Sequence, residues 1–213
     1  KLDLAEVQYK KLFTDLPQNT LILTKLGTNK IQKNNLEEGI HLIEKSLEID
    51  PKQPNALNNL GVFLQRHNRS LEAFDRYNRA IAIESNYPEA YSNRGNALMD
   101  LNRFDEALDS YDHAIRIKPD YAQAFSNRGN ALKELNRLND AHESYSKAIE
   151  LNSNYANAFS NRGEVLKKLG LKEASIDDYQ RSLELNPEIE YINGELINTK
   201  MHLCIWNNFT SQV

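Results

Sequence analysis

The sequence is short of most of the residues that give small proteins their special chemistry. It holds one cysteine, Cys204, so no internal disulfide can form and a bridged secreted scaffold is excluded. No run approaches the roughly 20 consecutive apolar residues of a membrane helix, so no membrane contact is expected. Charge of one sign is also lacking. The 30 acidic residues against 26 basic ones leave a net charge of −4, which argues against a nucleic-acid partner. The histidines His41, His67, His113, His142 and His202 include no two spaced three or four apart, so no helix presents a two-histidine metal face. There is no phosphate-binding glycine loop and no nucleophile elbow. No metal or cofactor is expected, and catalysis by this chain is not expected either. The 40% hydrophobic and 26% charged residues suit a soluble folded chain with a cytoplasmic setting.

Glycine and proline are scarce as well, and their positions carry the pattern. Five of the eight glycines are Gly27, Gly61, Gly95, Gly129 and Gly163, equally spaced along the chain. A constant spacing of about 34 residues held through five copies marks a repeat array. Sixteen residues after each glycine stand Ile43, Tyr77, Tyr111, Tyr145 and Tyr179. Small residues recur in two further columns, Gly39, Ala73, Ala107, Ala141, Ser175 and Ser46, Ala80, Ala114, Ala148, Ser182.

Each unit reads as two helices. Apolar residues four before and three after each glycine, such as Tyr91 and Leu98, share one helical face, and Leu108, Tyr111 and Ile115 do so in the second half. Asn68-Arg69, Asn102-Arg103 and Asn136-Arg137 mark the turn between the two. Pro17, Pro51, Pro119 and Pro187 fall where second helices end. Pro54 and Pro88 open first helices, where a missing N–H costs nothing. The glycine and small-residue columns allow antiparallel helices to approach closely.

The period and columns resemble the tetratricopeptide repeat family over residues 20–189, as five units: 20–53, 54–87, 88–121, 122–155 and 156–189. Residues 1–19 resemble the second helix of a truncated repeat, with Ala5, Tyr9, Leu12 and Pro17 in its columns, and residues 190–213 read as a capping helix and linker-like tail. The resemblance implies an all-α, right-handed superhelical solenoid of antiparallel helix pairs, with first helices lining a concave groove.

The groove positions implied by the family lie six, three and two residues before each glycine and one, four and five after it. In the four units from residue 54 to 189 they hold as many acids as bases and many amides, and they include Asn96, Asn130, Ser126 and Lys133. An amide both donates and accepts, so it pairs with a peptide unit as another peptide does. Asn59, Asn93, Asn127 and Asn161 form an asparagine column with the repeat period. This column resembles the asparagine ladder of O-linked N-acetylglucosamine transferases, which holds an extended polypeptide. The expected partner is therefore a protein or peptide segment in the groove. Ser92, Ser126 and Ser160 stand where an Hsp90-type carboxylate clamp places its first lysine, so that subclass is not expected. Arg94, Arg128 and Arg162 precede their glycines. The expectation is half-buried pairing with Asp109, Glu143 and Asp177 on their own second helices.

The run Lys200-Met201-His202-Leu203-Cys204-Ile205-Trp206-Asn207-Asn208-Phe209 resembles the segment joining repeats to the catalytic domain in bacterial members of that transferase-like family, although Ile205 and Asn208 replace its acids. This implies an alternative in which the chain is the substrate-recruiting arm of a larger glycosyltransferase. A further expectation is self-association through the N-terminal half-repeat, whose face a first helix would otherwise cover.

Overall fold

The computed structural model describes residues 2–203. It is all-α, with twelve helices among the described residues, falling into two compact units, Lys1–Leu101 and Asn102–Val213. The boundary lies inside the third repeat, between its two helices.

The first unit contains α1 (Leu2–Asp15), α2 (Thr20–Gln32), α3 (Leu36–Ile49), α4 (Pro54–Arg66), α5 (Ser70–Ile83) and α6 (Pro88–Asp100). Each helix packs on the next, and α4 also touches α6. The second unit contains α7 (Phe104–Ile117), α8 (Ala122–Glu134), α9 (Leu138–Leu151), α10 (Ala156–Lys168), α11 (Lys172–Leu185) and α12 (Glu190–His202). Here too successive helices pack in order, and α8 touches α10. Connections of three or four residues leave no alternative to antiparallel neighbours. No proline interrupts a described helix; Pro54 and Pro88 occupy first turns, as their missing N–H allows.

The turn between paired helices repeats as faithfully as the helices do. Asn34, Asn68, Asn102 and Asn136 have φ of 62°, 61°, 58° and 57°, and Gly170 has 81°. These five residues keep the spacing of the glycine column. Asparagine and glycine tolerate the left-handed region that closes a helix. The Asn68 N–H donates to Gln65 O and the Arg69 N–H to Leu64 O, both at 3.0 Å, so carbonyls at the end of α4 are satisfied. The arginine that follows has its own role. Arg69 Nε donates to Glu72 at 2.6 Å, and Arg137 Nη2 to Asp140 at 2.6 Å. Each acid lies in the first turn of a second helix, where the helix dipole favours negative charge. The Asn-Arg pair thus combines a turn residue with the partner of a first-turn acid.

Tyrosines fill the cores. Tyr77 packs with Leu57, Leu60 and Leu64 in the first unit; in the second, Tyr145 packs with Leu108, Leu132 and Val165. Tyr179 joins Ile176, Ile192 and Leu196, so α12 covers the apolar edge of the fifth repeat. The glycine column exists for these rings. A Cβ on Gly61 would lie 2.5 Å from Tyr77 Cε1, one on Gly129 2.6 Å from Tyr145 Cε1, and one on Gly163 2.8 Å from Tyr179 Cε1. At Gly27 the corresponding neighbour is Ile43, at 2.7 Å. The two columns noted separately in the sequence are the two halves of one contact.

Candidate functional site

The first helices put their polar residues along the edge where α4 meets α6 and α8 meets α10. In the first unit this edge holds an open cleft of about 980 Å³, whose lining includes Val62, Gln65, Arg66, Asn93, Asn96 and Asp100. All six are groove positions of the sequence pattern. Asp100 accepts from Gln65 Nε2 at 2.7 Å and from Ser70 Oγ at 2.9 Å, which ties the end of α6 to the start of α5.

The asparagines do not stand as a free row. Asn93 Nδ2 donates to Asn58 Oδ1 at 3.0 Å, and Asn161 Nδ2 donates to Asn130 Oδ1 at 3.1 Å. Asn130 also accepts the Tyr145 hydroxyl at 2.7 Å. The rung at Asn161 runs from a column asparagine back to the residue just after the preceding glycine. For Asn93 that residue is Val62, which cannot accept, and Asn58 takes its place. With one N–H committed, Asn93 and Asn161 each carry a second N–H and a carbonyl oxygen to offer. Asn127 and Asn96 are half-buried, whereas Asn59 is exposed.

Three expectations change. Ser126 is buried rather than presented, as are Ser92 and Ser160; their column forms the floor of the edge, where small side chains let first helices touch. Lys133 is committed to Glu164 at 2.7 Å. Arg128 and Arg162 pair, but not with the expected acids. Arg162 makes two bonds of 2.7 Å to Asp178. Arg128 bonds Asp112 on the preceding second helix at 2.6 Å, and Arg94 reaches Asn78 at 3.3 Å. Asp109, Glu143 and Asp177 are exposed. One residue is about 100° around a helix, so Asp177 points away where Asp178 points in.

The second unit has a smaller, more enclosed cleft of about 220 Å³ lined by Ser160, Glu164, Lys167, Lys168, Tyr179, Tyr191 and Glu195. Burial opposes ionisation of Glu164, but hydrogen bonds from Lys133 and Lys168 outweigh it and hold the carboxyl below its usual value. Tyr179, Tyr191 and Glu195 were not among the sequence candidates. A signal existed for Glu195, which stands one repeat period after Asn161 in the asparagine column. The described residues contain no group of three or more His, Cys, Asp or Glu able to hold a metal, and none of their helices is long and apolar enough to cross a membrane. Cys204 and Trp206 of the linker-like run lie outside the described residues.

Family comparison matches a TPR repeat description to residues 71–101, 95–136 and 129–170. Tetratricopeptide repeat descriptions match residues 22–53, 42–75 and 156–189. No curated protein matches the sequence. Among solved structures, MamA is 22% identical, with a TM-score of 0.71 over 76% of this chain and 95% of that one. YrrB, described as a TPR protein with an unusual peptide-binding site, is 18% identical, with a TM-score of 0.70 over 88% and 96%. PilF of Pseudomonas aeruginosa is 23% identical, with a TM-score of 0.68 over 86% and 90%. At these identities the likeness is one of fold.

Proposed function

Because the chain belongs to the tetratricopeptide repeat family, we propose that it is a non-catalytic interaction module that binds a segment of a partner protein along its first helices. The observation that carries this reading is the first-unit cleft, lined by Gln65, Asn93, Asn96 and Asp100, whose amides and carboxylate match the donors and acceptors of a peptide backbone. Lateral bonding of Asn93 and Asn161 supports the reading, because it fixes each amide plane before a ligand arrives and so reduces the entropy cost of binding. The test is enrichment from a displayed random peptide library. Changing Asn93, Asn127 and Asn161 together to alanine should abolish enrichment while helicity is retained; equal enrichment by the variant refutes the groove.

Two narrower readings rest on particular features. The asparagine column at repeat spacing favours a recruiting arm of a sugar-nucleotide glycosyltransferase. The coding sequence beyond Val213 tests it, and an unrelated domain there removes it. Val7, Leu12, Leu16 and Leu21 are exposed apolar residues at the N-terminal end, and they favour self-association. A monomer in sedimentation at high concentration refutes that.

A further inference from the structure

The buried tyrosine column shows what each hydroxyl needs, and the last repeat withholds it. Tyr77 donates to the side-chain amide oxygen of Gln65 at 3.3 Å, and Tyr145 to that of Asn130 at 2.7 Å. Tyr179 is the equivalent residue of the fifth repeat. It is 1% exposed, and its hydroxyl has no hydrogen-bond partner among the described residues. The position that supplies an amide at Asn130 is Glu164, and Glu164 is drawn off by Lys133 at 2.7 Å and Lys168 at 3.0 Å. A buried hydroxyl without a partner costs free energy, so such a group calls for an explanation.

Tyr179 lines the 220 Å³ cleft between α10, α11 and α12. The charges around it balance, Lys167 and Lys168 against Glu164 and Glu195, which favours neither a cation nor an anion. The cleft offers both kinds of hydrogen-bonding partner. The Tyr179 hydroxyl is a donor without an acceptor. Glu195 accepts from Lys167 through Oε2, which leaves Oε1 to accept another bond. Tyr191 sets an aromatic wall and donates weakly to Ser160 at 3.5 Å.

From this we infer that the cleft binds a carboxamide group of a bound polypeptide, its carbonyl oxygen accepting from Tyr179 and its N–H donating to Glu195. The ligand supplies from outside what Gln65 and Asn130 supply from within. The inference deepens the groove reading and rests on it only for the origin of the amide, which is a glutamine or asparagine side chain or a peptide bond.

Two measurements test it. The first is thermal stability. Tyr145→Phe should lower Tm because it removes a made bond, whereas Tyr179→Phe should leave Tm unchanged or raise it. An equal loss at Tyr179 means that the hydroxyl is satisfied inside the protein and overturns the inference. The second is an NMR titration of amide signals from residues 160–168 and 191–196 with N-acetylglutamine N-methylamide. Saturable shifts are expected, weakened about fivefold by Tyr179→Phe, as befits one hydrogen bond. The norleucine counterpart carries the same backbone amides without the side-chain amide. Shifts with glutamine alone identify a side chain as the source, and equal Tyr179-dependent shifts with both identify a peptide bond. No shift with either probe, shifts undiminished in Tyr179→Phe, or stronger binding of the glutamate counterpart overturns it. A glutamine probe that binds while library enrichment fails leaves this site standing and removes the longer groove.

Discussion

Three glycines of this chain should respond differently to the same added methyl group, and two of them make the sharpest contrast. At Gly129, inside α8, a Cβ would lie 2.6 Å from Cε1, 2.8 Å from Cδ1 and 2.8 Å from Cζ of Tyr145, a ring with no exposed surface. Overpacking of this kind costs about 1–3 kcal/mol. Replacing a helical glycine by alanine returns about 1 kcal/mol of propensity. Gly129→Ala should therefore destabilise by up to about 2 kcal/mol. Gly194, inside α12, has no such neighbour within 4 Å, and Gly194→Ala should stabilise by about 1 kcal/mol. The third, Gly170, has open space around it but a φ of 81°, so Gly170→Ala should destabilise through backbone strain alone. For a chain of this length, 1 kcal/mol moves Tm by about 2–4 °C, so melting followed by circular dichroism separates Gly129→Ala from Gly194→Ala by direction as well as size. In a Tyr145→Leu background the obstruction is gone, and Gly129→Ala should become stabilising. Refutation is simple: if Gly129→Ala raises Tm in the otherwise unaltered protein as Gly194→Ala does, the glycine column does not exist to seat the rings.

At the left-handed turn, Asn136→Gly should be nearly neutral and Asn136→Ala should cost about 1 kcal/mol, measured by urea unfolding. Asp178 is buried against Arg162, so Arg162→Ala should cost about 3 kcal/mol. The exposed pair Arg137–Asp140 should cost under about 1 kcal/mol when broken. Burial pushes the Tyr77, Tyr145 and Tyr179 hydroxyls above the ordinary value of 10.0. Their folded values exceed their unfolded ones, so this contribution is complete below pH 10 and lost as pH rises beyond it. The urea midpoint should hold steady up to about pH 10 and fall as pH rises above it, and less so in Tyr77→Phe.

The helix pairing and turn positions were legible because Gly, Pro, Asn and the tyrosines are each confined to a few backbone settings. The contacts between columns were not. The sequence offset between Gly129 and Tyr145 does not reveal that the ring lies over the glycine, since the link depends on how the helix pair folds back. Two arginine partners were misassigned: Asp178, next to the expected Asp177, is the acid that the helix turns inward to Arg162, and Arg128 reaches Asp112 on the preceding second helix rather than Glu143 on its own. The asparagine column was visible, but its lateral bonds depend on which residue follows the preceding glycine, a choice made one repeat earlier. Glu195 was hidden by its identity, since a carboxylate does not look like the next asparagine until α12 is seen to stand where a first helix would.

The glycine–tyrosine contact has a consequence for how such an array grows. Gly129 and Tyr145, the turn at Asn136, and the Arg137–Asp140 pair all lie within one repeat. A duplication of one whole period carries them intact, so an inserted copy arrives with its interior already matched. What such a copy must still satisfy lies at its borders, in rungs such as Asn161 to Asn130 and pairs such as Arg76 to Glu44. Duplicating residues 122–155 would set the copy of Asn130 opposite Lys133, where Glu164 now stands, and duplicating residues 156–189 would set the copy of Asn161 opposite Lys167, where Glu195 now stands. In both cases the interior of the unit is kept and an ion pair at its border is exchanged for a lysine facing an amide.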